Sequence, residues 1–185
     1  MTGMPLIVPT VRNLERLRTR YQPLSTNAVT SGDLSHEVVE VGRGEGAFRR
    51  AAAALRRWDT HRSWWLRVHP ADEPPAPGQT VVIQVQAGRF SPLALAFCDR
   101  VTDVIDGPRR QGFTYATLPG HPERGAETFL IEWHADDRVT FTVRAVSQPG
   151  WPPLRLVRPA LAWLQGRATR QYLRAIARSA VAQNA

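Results

Sequence analysis

The chain has 185 residues, enough for one domain that buries a core or surrounds a cavity and too few for a second catalytic domain. Hydrophobic residues make up 43% and charged residues 22%, which excludes wholesale disorder, a coiled coil or a collagen-like fibre. A formal net charge of +8 would ordinarily raise nucleic acid or an anionic membrane as partner, but every basic residue is Arg and none is Lys. A GC-rich coding bias yields that pattern without any such partner, so neither is expected. The single cysteine, Cys98, excludes an intramolecular disulfide and fits a reducing cytoplasm. Met1 to Pro9 lacks the basic region of a signal peptide, and no segment approaches the roughly 18 apolar residues of a spanning helix. A cytoplasmic location is therefore expected.

From the N-terminus, Val11, Leu14, Leu17 and Tyr21 recur at helical spacing and predict a short amphipathic helix packed on the edge of the domain. Tyr21 to Ser35, rich in Pro, Ser, Thr, Asn and Gly, reads as an arm without regular structure, so residues 1–35 form a helix and arm. A single domain is expected over 36–182, with 183–185 as a tail. His36 to Val41 predicts a strand. Gly42-Arg43-Gly44-Glu45-Gly46 then opens a helix in which Phe48, Ala51, Ala52, Leu55 and Trp58 share a face. The three glycines lack the Lys and spacing of a phosphate-binding loop and read as a tight strand-to-helix turn.

Trp64 to Val68 predicts a further strand, and the proline-rich segment Pro70 to Gly78 a loop. Strands follow at Thr80–Gln86, Leu93–Ile105, Gly112–Leu118, Thr128–His134 and Arg138–Val146, with Ala135-Asp136-Asp137 as a hairpin turn. Their short connections predict an antiparallel meander, because a parallel sheet needs a crossover of a dozen or more residues at each step. Gln148 to Pro153 ends the strands. A long helix is expected from Arg158 to Val181, with Leu161, Leu164, Ala168, Tyr172, Ala175 and Ile176 turned inward and Arg167, Arg170, Arg174 and Arg178 outward. One strand, a helix, an antiparallel sheet of about six or seven strands and a long C-terminal helix is an α+β, helix-grip order. It leaves room for a cavity between sheet and last helix.

Gly112-Phe113-Thr114-Tyr115-Ala116-Thr117-Leu118-Pro119-Gly120-His121-Pro122-Glu123 resembles the G-F-x-Y-G-T-L-P-G-H-P-E signature of a family called domain of unknown function nineteen-ninety. The resemblance extends over roughly Tyr21 to Ile176. It departs at Cys98-Asp99-Arg100-Val101, Tyr115-Ala116, Gly125-Ala126-Glu127 and Ser147-Gln148-Pro149, where the family usually has Cys-Arg-Val, Tyr-Gly, Gly-Glu-Glu and Ser-Arg-Pro. The family implies no established reaction. It is similar to START-like and polyketide-cyclase-like proteins in fold, and that analogy alone implies hydrophobic ligands.

The polar residues of the signature are the candidates for chemistry. His121 with Glu123 or Glu127 at a cavity mouth is a candidate general acid–base set, because an imidazole beside a carboxylate titrates near neutrality. The alternative is a rigid, solvated turn shaped by Pro119, Gly120 and Pro122. Phe113, Tyr115 and Thr117 alternate on one face of a strand and, with Cys98 and Trp58, are candidate ligand contacts. Each has a plain core reading beside it: Cys98 as a small buried hydrophobe, Trp58 and Tyr115 as packed aromatics. The five histidines show no metal-ligand spacing, so neither metal nor cofactor is expected. Three functions stay open. The first is binding of a small apolar molecule. The second is cofactor-free cyclisation, isomerisation or elimination in the same cavity. The third is an interaction module using the Arg faces. The oligomeric state is left open.

Overall fold

The computed structural model describes residues 6–150 and 158–181. The chain runs β1 (Leu6–Ile7), α1 (Val11–Tyr21), β2 (Asp33–Arg43), α2 (Gly44–Arg56) and a 3-10 turn (Asp59–His61). Then follow β3 (Leu66–His69), β4 (Thr80–Gln86), β5 (Ala94–Asp106), β6 (Arg110–Thr117), β7 (Glu123–Trp133), β8 (Arg138–Pro149) and α3 (Arg158–Ala180). Seven strands form one sheet in the order β2-β8-β7-β6-β5-β4-β3, and β1 adds to β5. Every pairing is antiparallel. The architecture is the expected α+β helix-grip fold.

Three strands are longer than their composition suggests. β2 begins at Asp33, β7 at Glu123, and β8 runs on to Pro149, where Asp33 meets Ser147 and Glu123 meets Pro149. Gly125, Glu123 and Gln148 carry no strand signal of their own; the neighbouring backbone satisfies their N–H and C=O groups. Gly125 is required there, since a Cβ on it would lie 2.0 Å from the Val146 carbonyl oxygen. At the start of α2, Gly44 takes a left-handed φ of +77°, the conformation for which glycine carries no steric cost.

The two sheet faces are covered differently. On one, α2 and α3 pack a core that includes Phe48, Leu55, Trp58, Phe113, Phe129 and Ile176. On the other, Leu14 and Tyr21 of α1 pack on Val82, Ala96, Cys98 and Leu118. Helix α1 thus lies over β4 and β5 rather than at the domain's edge, because its apolar stripe matches the alternate residues of those strands that point away from α3. The Arg100 guanidinium holds the helix end, donating to the carbonyls of Tyr21 (3.2 Å), Gln22 (2.7 Å) and Leu24 (3.3 Å). Among the described residues no helix is long and apolar enough to cross a membrane.

Candidate functional site

Between the sheet and α3 lies a cavity of about 220 Å³. Strand parity builds it: Ile83 and Val85 of β4, Leu95, Phe97 and Asp99 of β5, Tyr115 and Thr117 of β6, and Gly125 and Glu127 of β7 all face it. Small residues make the room. One row across the sheet pairs Tyr115 with Glu127, Glu127 with Ala145 and Ala145 with Ser35, so bulk fades toward β2. Leu164, Gln165, Ala168 and Tyr172 close it from α3, as their spacing of three and four along the helix allows.

Polar groups gather at one end. Asp99 is 1% exposed, and its Oδ1 has no hydrogen-bond partner. His121 Nε2 stands 3.8 Å from that oxygen, while Nδ1 sits against the backbone of Glu123, 3.0 Å from its N and 2.9 Å from its O. The imidazole also meets the Phe97 ring edge-on, with centroids 4.4 Å apart. Burial lowers the His121 pKa to about 4, so the ring is neutral near pH 7, and burial followed by the nearby charges of Glu127 and Glu123 raises Asp99 well above the carboxylate range. Glu127 rises to about 7, chiefly through burial and against the hydrogen bond it accepts from Tyr115 Oη at 2.5 Å.

A chain of hydrogen bonds runs from this carboxylate into the core. Thr60 Oγ1 and His61 Nδ1 are 2.9 Å apart, and His61 Nε2 and Tyr115 Oη 3.4 Å. One polarity satisfies every link: Thr60 donates to Nδ1, Nε2–H to the Tyr115 oxygen, and Tyr115 O–H to Glu127. His61 is fully buried, its pKa is lowered to about 3, and its ring packs on Tyr172 at 4.9 Å. It is a positioning group for Tyr115.

The structure brings His121, Glu123, Glu127, Tyr115 and Thr117 to one cavity and separates the other three candidates from it. Glu123 is the outermost, accepting from Gln165 Nε2 at 2.7 Å on both oxygens and so tying β7 to α3. Thr117 Oγ1 donates to Asn27 Oδ1 (2.6 Å) and accepts from Gly125 N–H (3.0 Å), which fixes the arm to the sheet. Cys98 does not line this cavity. It is one residue out of phase with Phe97 and Asp99, so it lies under α1, where burial pushes its thiol pKa up. Phe113 and Trp58 do not line this cavity either. Their rings meet at a tilt with centroids 4.8 Å apart in the core beneath α2, and Phe113 borders a separate hollow of about 40 Å³. On α3, Arg167 lies over the Trp65 ring at 4.5 Å as well as over Trp163 at 5.6 Å, so this Arg holds a cavity wall rather than a solvated surface.

Asp99, His61 and Tyr172 escaped sequence reasoning as site residues. Two signals bore on Asp99: its departure from the family's Cys-Arg-Val, and the alternation Leu95, Phe97, Asp99 within a run that reads as apolar. The burial of Glu127 has a measurable consequence. A carboxyl whose pKa rises from an ordinary 4.5 to about 7 on folding contributes fully below 4.5 and loses that contribution as pH climbs through 7. Glu127→Gln should therefore gain stability relative to the unaltered chain across that interval, by on the order of 3 kcal/mol in paired thermal melts. A difference that does not vary with pH would contradict the buried carboxyl.

Comparison with known proteins bears on family and fold. The family described as Domain of unknown function (DUF1990) matches residues 26–175. A UPF0548 protein of Deinococcus radiodurans is 36% identical over 149 residues, covering 77% of this chain and 75% of that protein. Among solved structures, Ara h 8.0201 superposes with a TM-score of 0.55 at 10% identity, over 80% of this chain and 97% of that one. A truncated norcoclaurine synthase from Thalictrum flavum gives 0.50 at 10% identity, over 78% and 91%. At such identities the likeness is one of fold.

Proposed function

The chain belongs to the family described as Domain of unknown function (DUF1990), and we propose that it binds a small, largely apolar molecule in the cavity between the sheet and α3. The observation that carries this reading is a space of about 220 Å³ walled mainly by Leu66, Ile83, Val85, Leu95 and Leu164, with hydrogen-bonding groups confined to one end. A cavity of about 150 Å³ suffices for benzene, so the guest has the bulk of one or two rings. The Asp99, His121, Glu127 and Tyr115 groups fix its orientation. The single buried thiol suits a cytoplasmic site of action.

Ligand-observed NMR with neutral probes such as indole and propylbenzene tests the reading. Saturation transfer and displacement between probes are expected, together with protein backbone shift changes concentrated in β3, β4, β5 and α3. Probes that bind with no shift changes at Leu66, Ile83 or Leu164 would contradict it.

A second reading follows from the pKa of Glu127. A carboxylate poised near 7 beside a hydrogen-bonded tyrosine, with the Asp99 carboxyl pushed by burial toward its protonated form, offers a base and an acid in an apolar enclosure. The reaction class is a cofactor-free proton transfer leading to cyclisation, isomerisation or elimination. The superposed norcoclaurine synthase makes a reaction in this fold reasonable by analogy only. For any substrate turned over, kcat/KM would rise with pH through about 7 and fall by roughly 10²-fold or more in Glu127→Gln. Retained turnover in that variant excludes Glu127 as the base. His121 and Glu123 belong to this reading as groups beside Asp99 and at the cavity mouth, within reach of a bound substrate.

A further inference from the structure

The ionisable side chains that border the cavity are, His121 aside, all carboxyls. Asp99, Glu123 and Glu127 line it, while among the described residues no Arg does and the sequence has no Lys. Two basic side chains are engaged elsewhere: Arg100 caps α1 on the opposite face, and the Arg167 guanidinium stands over the Trp65 ring, 4.5 Å from its centroid. The imidazole of His121 is neutral, so it supplies no counter-charge. Asp99 Oδ1 meanwhile is buried, faces this space and meets no donor.

An orphaned buried carboxyl is costly, because neither solvent nor a partner satisfies it. Protonation relieves part of that cost in the empty protein. A guest that brings its own positive charge and several N–H donors relieves the rest, since an ammonium offers three donors and no acceptor. An alcohol brings one donor and no charge, and a carboxylate would face acceptors of its own sign. The aromatic side chains of Trp65, Phe97, Tyr115 and Tyr172 line the same space, and aromatic surroundings suit a cation better than an anion.

We propose that the guest is an organic amine, its ammonium group meeting Asp99 and Glu127 and its hydrocarbon body, of one or two rings, lying against Leu66, Ile83 and Leu164. This rests on the cavity being a binding site and adds the chemical class of what it takes. Glu123, already accepting from Gln165, stands at the outer end, where it favours entry of a cation.

Isothermal titration of the full chain near neutral pH with four probes of one skeleton separates the claims: phenethylamine, phenethyl alcohol, hydrocinnamate and propylbenzene. The amine is expected to bind at least about tenfold tighter than the alcohol, with hydrocinnamate weakest. Asp99→Asn, which keeps the side-chain shape, should erase that tenfold advantage and leave propylbenzene affinity within about threefold. Glu127→Gln gives an independent check by the same comparison. Alcohol, hydrocarbon or carboxylate binding as tightly as the amine would overturn the amine assignment and leave the cavity reading standing. Failure of all four probes to bind would overturn both.

Discussion

Replacing Ala168 by Phe is expected to weaken the binding of neutral apolar probes by more than about 10²-fold while leaving the protein folded, because the new ring occupies the guest's place. Ala168 projects from α3 into the cavity of about 220 Å³. A phenyl ring is the size of benzene, for which about 150 Å³ suffices, so most of the capacity disappears. The ring meets Leu95, Phe97 and Leu164 in place of empty space and regains dispersion contacts that the cavity forfeits. The melting temperature is accordingly expected to stay level or rise by a few degrees. Ala145→Phe approaches the same volume from β8 and should behave alike. Two folded variants with unchanged probe affinity would show that guests bind elsewhere.

Trp58→Ala should have the opposite signature, a loss of stability of about 3–5 kcal/mol, seen in denaturant titration as a lowered midpoint. Trp58 is 0% exposed, meets the Phe113 ring at a tilt at 4.8 Å and the His61 ring edge-on at 5.6 Å, and donates its Nε1–H to the Glu73 carbonyl at 2.8 Å. Removing it leaves a large void and an unpaired carbonyl. The residue also holds a left-handed φ of 59° at the end of α2, a conformation that Ala adopts no more easily, so the backbone cost stays while the packing that offset it is gone. His61 and Tyr115 rest on the same cluster, so probe affinity should fall only modestly in the folded fraction. A loss below about 1 kcal/mol would show that Trp58 is not the keystone of the core.

The order of elements was readable because it rests on periodicity and turn chemistry. Val11 to Tyr21, Gly44 to Arg56 and Arg158 to Ala180 each carry a helical stripe, and Thr80 to Gln86 alternates within a Pro/Gly frame. The signature loop also led to the site, since His121, Glu123 and Tyr115 all border the cavity. What was not readable is phase. Cys98 and Asp99 are adjacent in an apolar run, and only pairing of Asp99 with Thr117 and of Cys98 with Val82 decides which of them faces α3. Trp58 and Phe113 have the right chemistry for a ligand wall but sit one layer deeper, a matter of tertiary packing that no local pattern encodes. The burial that raises Glu127 and the Thr60–His61–Tyr115 chain join segments 54 residues apart, beyond any local spacing rule.

Crystals of the protein under xenon pressure put the central claim to its most direct test, because xenon enters a dry apolar cavity that is open to it. The account predicts a xenon atom between α3 and the sheet, in contact with Ile83, Leu95 and Leu164 and away from Asp99 and Glu127. Electron density showing that space closed by side chains, with xenon absent from it, would contradict the account.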